Sequence, residues 1–209
     1  MPVPDFARAR EYALGRLERE LAPKLIYHCV AHTRDDVYPA MERLAERAGV
    51  NGDDLLLMRT AVMFHDLGFV ESRSDHEEAG ARLASEVLPE MGYDCGQIAA
   101  IQSMIRATRL PQSPRTPLEQ IICDADLDVF GRADFFARNQ ALREEMASFG
   151  ALFSDEQWYA GQVAFMQQHQ YHTQAARELR GPGKQANLQA MAARLEQIRS
   201  GQNAIPDQL

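Results

Sequence analysis

The sequence predicts an all-α protein, a single-domain helical bundle, and three observations support this prediction. Apolar residues recur at helical spacing along most of the 209 residues. No stretch of useful length shows the alternation of apolar and polar residues that is typical of strands. Prolines and glycines fall between the periodic segments, at intervals that leave room for helices of ordinary length.

The expected helices follow one another from the amino terminus. Residues 5–21 form the first, and residues 24–48 form one or two more, interrupted near Pro39. The next helix, which begins near Asp53, is apolar on every side and therefore belongs in the middle of the core. The remaining helices are expected at 75–88, 94–107, 117–130, 131–148, 154–169, 172–180 and 184–200. Gly-Pro-Gly at 181–183 separates the last two, and the tail 201–209 is expected to fray.

Composition and charge narrow the class of protein. The formal net charge of −8 gives a surface that repels phosphate backbones, so no nucleic-acid polymer is expected as a partner. The three cysteines are dispersed, which argues against a disulfide framework and against a thiolate zinc site. No run approaches the roughly 18–20 apolar residues of a membrane span. We expect a cytoplasmic protein without a membrane partner, and the oligomeric state is open, with a homodimer as one alternative.

His65 and Asp66 stand at the end of the very apolar helix, two residues before Gly68. An ionised carboxylate is costly to bury alone, so Asp66 needs a cation, hydrogen-bond donors or exposure at the helix end. Gly68 suggests that the helix stops here, and the partial negative charge of a helix carboxyl end favours a cation. The pair alone is weak evidence for a metal site, because a His-Asp dipeptide is common by chance.

Two further segments strengthen the hypothesis of a metal site. In YHCVAHT, His28 and His32 are four residues apart and share one face of a helix. In IICDADLDVF, Asp124 and Asp128 share a face, whereas Asp126 points elsewhere. Imidazole and carboxylate ligands without thiolate suit Mn²⁺, Fe²⁺, Ni²⁺, Co²⁺, Zn²⁺ or Mg²⁺.

Taken together, these segments resemble the HD-domain superfamily of metal-dependent phosphohydrolases, an all-helical fold with the signature H…HD…D. The matching residues are AHT at 31–33, HD at 65–66 and DADL at 124–127. Other stretches resemble the small stand-alone members of that superfamily: HEEAGARLASEVLPEMGY, IRATRLPQSPRTPLEQIICDADLDVFGRADF and WYAGQVAFMQQHQYHT. The resemblance covers about residues 24–180, which leaves a C-terminal helix and tail at about 184–209 outside it.

The resemblance implies four metal ligands: His32, His65, Asp66 and Asp126. It also implies catalytic roles for three residues. Asp66 would orient the attacking water, while His76 and Glu77 would act as general acid or base, contact phosphate or hold a second, weaker ion. Members with two metals usually add two further histidines, but this chain has Thr108 where one is expected. That departure favours one tightly bound metal.

Several residues around these segments are candidates for supporting roles. The candidate substrate-binding residues are His28, Lys24, Arg106 and Arg109. The lysine and the two arginines are candidates because phosphoryl transfer gathers negative charge in its transition state, and His28 because it is four residues from His32. Asp124 and Asp128 are expected to orient metal ligands rather than bind the metal. Structural roles are expected for His169 and His172, and core positions for Trp158 and Phe165.

The function implied by the resemblance is hydrolysis of a small phosphorylated metabolite, either a nucleotide phosphomonoester or a cyclic phosphodiester. A divalent metal would activate the attacking water. The alternative is a catalytically inactive HD module that senses a nucleotide or a metal and regulates a partner. Retention of all four ligand-type residues favours the enzyme, because a module without turnover can lose any of them.

Overall fold

The computed structural model describes residues 3–201, and in this range the chain forms α-helices and short helical turns without a β-strand. The helices are α1 (Phe6–Glu20), α2 (Tyr38–Arg47), α3 (Gly52–His65), α4 (His76–Val87), α5 (Cys95–Ala107), α6 (Pro117–Asp126), α7 (Phe135–Ser148), α8 (Asp155–Gln168) and α9 (Gln174–Arg199). The prediction of an all-α fold is confirmed. The expected fraying of the tail concerns residues 202–209, which lie outside the described residues.

Side-chain caps fix the starts of several helices. Asp5 caps α1, since its Oδ1 accepts a hydrogen bond from the Arg8 backbone N–H at 3.0 Å. Capping boxes, in which an N-cap side chain and the third helical residue bond reciprocally, begin α5, α6 and α8. These local signals explain why the sequence pattern placed most helices within a few residues of their observed bounds.

Helix α3 lies in the middle of the hydrophobic core, as its sequence predicts. It packs against α1, α2, α4, α5 and α6. The successive residues Ala61, Val62 and Met63, which project about 100° apart, are all fully buried. Because α3 is held on all sides, its carboxyl end, where His65 and Asp66 stand, is rigidly positioned. No helix in the range 3–201 combines the length and the apolar character that crossing a bilayer requires.

The segment between α1 and α2 differs from the expected helix at 24–48. Residues 21–29 are irregular, and helical backbone begins at Val30. His32–Val37 then form a π-helical turn, which leads directly into α2. π-Helical turns are rare and occur frequently at functional sites, because the extra residue redirects side chains. Here the turn carries His32 and Asp36.

Helix α9 runs without a break through residues 181–183, so the prediction of separate helices at 172–180 and 184–200 is wrong. Pro182 lies inside the helix. The neighbouring glycine serves close packing instead of ending the helix: a Cβ on Gly183 would lie 2.2 Å from the Gly131 carbonyl oxygen. The turn Asp128–Gly131 therefore packs directly on the α9 backbone, and this contact offsets the cost of a proline in a helix.

Gly68 also has a different role from the one that the sequence suggests. α3 ends at His65, and Gly68 lies in a 3₁₀ turn, Leu67–Val70. A Cβ on Gly68 would lie 1.9 Å from the carbonyl oxygen of His76 and 2.6 Å from the backbone nitrogen of Gly80. The glycine therefore allows α4 to approach the end of α3, and this approach brings His76 next to Asp66.

Candidate metal centre

The structure brings His32, His65 and Asp66 together as one buried cluster. Each offers one ligand atom, and these atoms all lie within 4.8 Å of one another. His32 comes from the π-helical turn, His65 from the last turn of α3, and Asp66 is the C-cap of α3. Two imidazoles and one carboxylate at this separation could hold a divalent ion.

Asp126, the last residue of α6, lies beside the same cluster. Its Oδ1 is 3.3 Å from His32 Nε2 and 3.6 Å from His65 Nε2. Asp66 Oδ2 is 3.6 Å and 3.4 Å from the same two nitrogens. All four residues for which the sequence suggests metal ligation are therefore in one place, although His32 and Asp126 are 94 positions apart.

Two atoms in this cluster are buried without a hydrogen-bond partner, His65 Nε2 and Asp66 Oδ2. His65 Nδ1 lies 2.7 Å from the Val62 carbonyl oxygen, which can only accept, so the Nδ1 proton is directed there. In the neutral imidazole this leaves the lone pair on Nε2, next to the Asp66 carboxylate. Buried polar atoms are normally satisfied, and a shared cation would satisfy both. The residues present therefore fit a divalent metal.

The charges of the cluster are strongly coupled. Burial lowers the pKa of His32, but the carboxylates of Asp126, Asp36 and Asp66 outweigh burial and raise it to about 10. Burial alone would raise the pKa of Asp126, but its two histidine neighbours hold it well below its usual range. The field of the carboxylates thus favours positive charge at this point, whether the charge is a proton or a metal ion.

His76 and Glu77 lie at the edge of the cluster, on the other oxygen of Asp66. His76 Nε2 is 3.6 Å from Asp66 Oδ1 and 3.4 Å from Glu77 Oε1. The ring of Phe69 stacks on His76 with centroids 3.9 Å apart, which fixes the plane of the imidazole. His76 Nδ1 is buried and unpaired. Thr108, which stands where two-metal members of the superfamily are expected to have a histidine, lines the same pocket.

His28 is held by a buried carboxylate that the sequence did not suggest. Its Nδ1 lies 2.5 Å from Glu145 Oε1, and Glu145 Oε2 accepts hydrogen bonds from the backbone N–H groups of Tyr27 and His28. Burial acts to raise the pKa of Glu145, but the His28 imidazole and these backbone donors lower it overall. Because Nδ1 is occupied by Glu145, Nε2 is the ring nitrogen that remains for another partner.

A second carboxylate stands behind His32. Asp36 Oδ2 is 3.9 Å from His32 Nδ1, and the same carboxylate pairs with Arg132 at 2.5 Å and Arg138 at 3.0 Å. Burial raises the pKa of Asp36, but His32 and the two arginines outweigh burial and hold it at about 2. Asp36 is four residues after His32, and this spacing could have identified it as an orienting group.

The structure does not bring Lys24, Arg106 or Arg109 to the cluster. Lys24 donates to the Ser148 carbonyl oxygen at 3.1 Å, at the end of α7. Arg106 is paired with Glu78 at 2.7 Å, and Arg109 with Asp75 at 2.7 Å. None of the three lines the pocket beside the cluster. Each has an anionic or carbonyl partner outside that pocket, so their expected substrate contacts gain no support.

Asp124 and Asp128 serve the packing of α9 and do not touch the cluster. The buried Asp124 carboxylate accepts from the backbone N–H groups of His172 and Thr173 and from the Thr173 hydroxyl, at 2.7–2.8 Å. Asp128 pairs with Arg180 at 2.7 Å and with Arg43 at 3.5 Å. Their expected role of orienting metal ligands has no counterpart in these contacts, because neither carboxylate contacts a histidine of the cluster.

A pocket of about 270 Å³ opens beside the cluster. Its histidine and carboxylate lining comes from the cluster and its surroundings: His28, His32, Asp66, His76, Glu77 and Asp126. Much of the remaining lining is apolar and includes residues of α7 and α8. This volume is just below the range of about 300–1,000 Å³ for small-molecule sites, so the pocket suits a small metabolite.

Comparison with known proteins finds a family match over part of the chain. The profile of the family described as HD domain matches residues 36–128. The chain contains an HD domain over these residues. The matched segment contains His65, Asp66 and Asp126, while His32 lies four residues before it and is supplied by the π-helical turn. HD domains form a superfamily of metal-dependent hydrolases, and the cluster that could hold a metal lies where this HD domain joins its preceding turn.

A solved structure shows the same fold. The crystal structure of a predicted HD superfamily hydrolase from an uncultured Thermotogales bacterium matches this HD-domain protein with a TM-score of 0.60. The match covers 96% of this chain and 94% of that chain, at 20% sequence identity. It shows the all-helical fold over almost the whole length. No curated protein has significant sequence similarity to the chain.

Proposed function

We propose that this HD-domain protein is a divalent-metal-dependent phosphohydrolase that acts on a small phosphorylated metabolite, either a nucleotide phosphomonoester or a cyclic phosphodiester. One observation carries the proposal: the buried, unpaired His65 Nε2 and Asp66 Oδ2 meet beside a pocket of metabolite size. His32 and Asp126 complete the set of ligands that would hold the ion. When bound, a divalent ion supplies Lewis acidity and an activated water.

Asp66 is suited to two tasks because its two oxygens face different partners. Oδ2 faces the histidines of the cluster, whereas Oδ1 lies 3.6 Å from His76 Nε2. Oδ1 is thus free to accept a hydrogen bond from the attacking water and to orient it toward phosphorus. His76, next to Glu77, stands within reach of the same oxygen and can receive or return the proton.

His28 is the residue that the geometry favours for contact with the phosphate. Glu145 accepts from its Nδ1, so the orientation of the ring is fixed, and in the doubly protonated ring Nε2 donates to a phosphoryl oxygen or to the leaving group. No lysine or arginine among the described residues lines the pocket. The metal and the histidines must therefore supply the positive charge that phosphoryl transfer requires.

A panel of substrates and metals tests the proposal. Purified protein loaded with Mn²⁺, Ni²⁺, Co²⁺ or Mg²⁺ is assayed with nucleoside monophosphates, cyclic nucleotides and p-nitrophenyl esters. We expect at least one metal to support turnover, and Asp66→Ala to lower kcat/KM by about 10³-fold or more. Asp53→Ala, at the exposed start of the same helix, is the matched control and should retain wild-type activity.

The same panel separates the enzyme from a regulatory module. Metal and nucleotide binding without turnover of any ester would contradict the phosphohydrolase and favour a sensor. Equal activity of Asp66→Ala and wild type would show that hydrolysis does not use this cluster.

A further inference from the structure

The side of the pocket formed by α7 and α8 is apolar apart from two amides. Its lining residues are Phe135, Asn139, Leu142 and Met146 from α7, and Gln162 and Phe165 from α8. The α7 residues recur at spacings of three and four, so they form one face of that helix. No charged residue of either helix lines the pocket. This wall suits the uncharged organic part of a substrate rather than its phosphate.

The orientation of both amides is set by a buried tryptophan. Trp158 Nε1 donates to Asn139 Oδ1 at 2.8 Å, and Asn139 Nδ2 lies 2.6 Å from Gln162 Oε1. An indole N–H can only donate, so the Asn139 atom facing it must be the oxygen. Its NH₂ group then donates to Gln162, whose oxygen is thereby occupied. This fixes which end of each amide is oxygen, a distinction that usually has to be inferred from the hydrogen-bond network.

Gln162 therefore has both N–H groups of its amide available to donate, while its oxygen already accepts one hydrogen bond. No residue in the range 3–201 accepts a hydrogen bond from these N–H groups. Gln162 lines the pocket and is half-buried, with Phe165 one helical turn further along α8. The pocket thus holds an oriented donor in apolar surroundings.

We infer that Gln162 is a specificity-determining residue, whose NH₂ group donates a hydrogen bond to an acceptor atom on the organic part of the substrate, while Trp158 and Asn139 position it. The acceptor is a carbonyl oxygen or an aromatic ring nitrogen, carried by a small ring that packs on the apolar wall. This inference rests on the proposed function in one respect: the phosphate end of the same substrate is placed at the metal cluster.

Binding of two matched phosphonates tests the inference without turnover. The probes are 4-acetylbenzylphosphonate, which carries a carbonyl acceptor, and 4-isopropylbenzylphosphonate, which has a similar shape and none. The metal-loaded protein is titrated with each by calorimetry. We expect wild type to bind the acetyl compound about tenfold more tightly, because the isopropyl compound leaves the amide N–H unpaired.

Substitutions then assign the preference to the amide. Gln162→Leu should bring the ratio of the two dissociation constants close to one, and Gln162→Glu should turn the preference against the acetyl compound. Gln167→Leu, exposed on the same helix and outside the pocket, should keep the wild-type ratio. Trp158→Phe should reduce the ratio, since it removes the donor that orients Asn139. Circular dichroism of each variant confirms that the helices are formed.

The outcomes distinguish this inference from the proposed function. A wild-type ratio near one, no binding of either phosphonate, or an unchanged ratio in Gln162→Leu overturns the inference, even if phosphate esters are hydrolysed. A ratio that depends on Gln162, without hydrolysis of any ester, supports the inference and contradicts the phosphohydrolase.

Discussion

His65 Nδ1 lies 2.7 Å from the carbonyl oxygen of Val62, one helical turn earlier in α3. This contact directs the proton of the neutral imidazole to Nδ1 and leaves Nε2 as the ligand atom, beside Asp66 and Asp126. The backbone of a fully buried helix therefore sets both the tautomer and the direction of the imidazole before any ligand binds. Burial lowers the pKa of His65, yet the two carboxylates raise it overall, which shows how strongly they favour a positive charge here.

Asp36 is expected to act on the metal through His32. It lies behind the imidazole and is held by Arg132 and Arg138, so its removal frees the ring of His32 to turn. We predict that Asp36→Ala weakens metal affinity by about 10–100-fold, measured by competition with a chelator. The adjacent Asp35→Ala is the control, because Asp35 is exposed and pairs with Arg34. Equal affinities in the two variants would show that Asp36 does not position His32.

Gly68 is expected to tolerate no larger side chain. The Cβ of Gly68→Ala would lie 1.9 Å from the His76 carbonyl oxygen, so α4 must move away from the end of α3. We predict that this variant loses about 1–3 kcal/mol or more in free energy of unfolding, measured in urea, and that His76 shifts relative to Asp66.

Gly161→Ala is the matched control for Gly68. A Cβ at Gly161 meets no atom within 4 Å, and this glycine lies inside α8. Alanine should therefore stabilise the helix by up to about 1 kcal/mol. Similar effects of the two substitutions would contradict the close approach of α3 and α4.

Glu145 is expected to make stability depend on pH. Its pKa is lowered from the ordinary 4.5, since the hydrogen bonds from His28 and the backbone outweigh burial. A carboxyl with a lowered folded pKa contributes stability above its unfolded pKa and loses this contribution as the pH falls through the folded pKa. We predict that Glu145→Gln loses about 2 kcal/mol in free energy of unfolding near pH 7.

The difference between wild type and Glu145→Gln should shrink as the pH falls below 4.5, when measured by urea denaturation at successive pH values. Glu144→Gln serves as control, because Glu144 is exposed and accepts a hydrogen bond from Gln140. A difference that stays constant from pH 7 to the acid range would mean that Glu145 contributes by packing and not by its charge.

The sequence predicted the parts of this protein that local patterns determine. The burial of α3 follows from an apolar surface on every side, and the place of His65 and Asp66 follows from the end of that helix. The order H…HD…D then pointed to His32 and Asp126, which the structure brings together.

Contacts between distant segments could not be predicted in this way. Glu145 is 117 residues from His28, and no periodicity relates the two. The sequence suggested Arg106 and Arg109 as phosphate ligands. Their carboxylate partners, Glu78 and Asp75, are distant in sequence, so these ion pairs are seen only in the folded structure. Gly183 was expected to end a helix. Its actual role, close packing against the backbone of Gly131, depends on a contact between distant segments that the sequence does not show.

The metal content of the purified protein tests the central claim most directly. Wild type, His65→Ala and His172→Ala are purified in parallel, and their bound metals are measured by inductively coupled plasma mass spectrometry. His172 is the control, because it lies outside the cluster and its backbone N–H contacts Asp124. We predict about one divalent ion per chain in wild type and in His172→Ala, and loss of that ion in His65→Ala. Equal metal content in wild type and His65→Ala would contradict the assignment of this cluster as a metal centre.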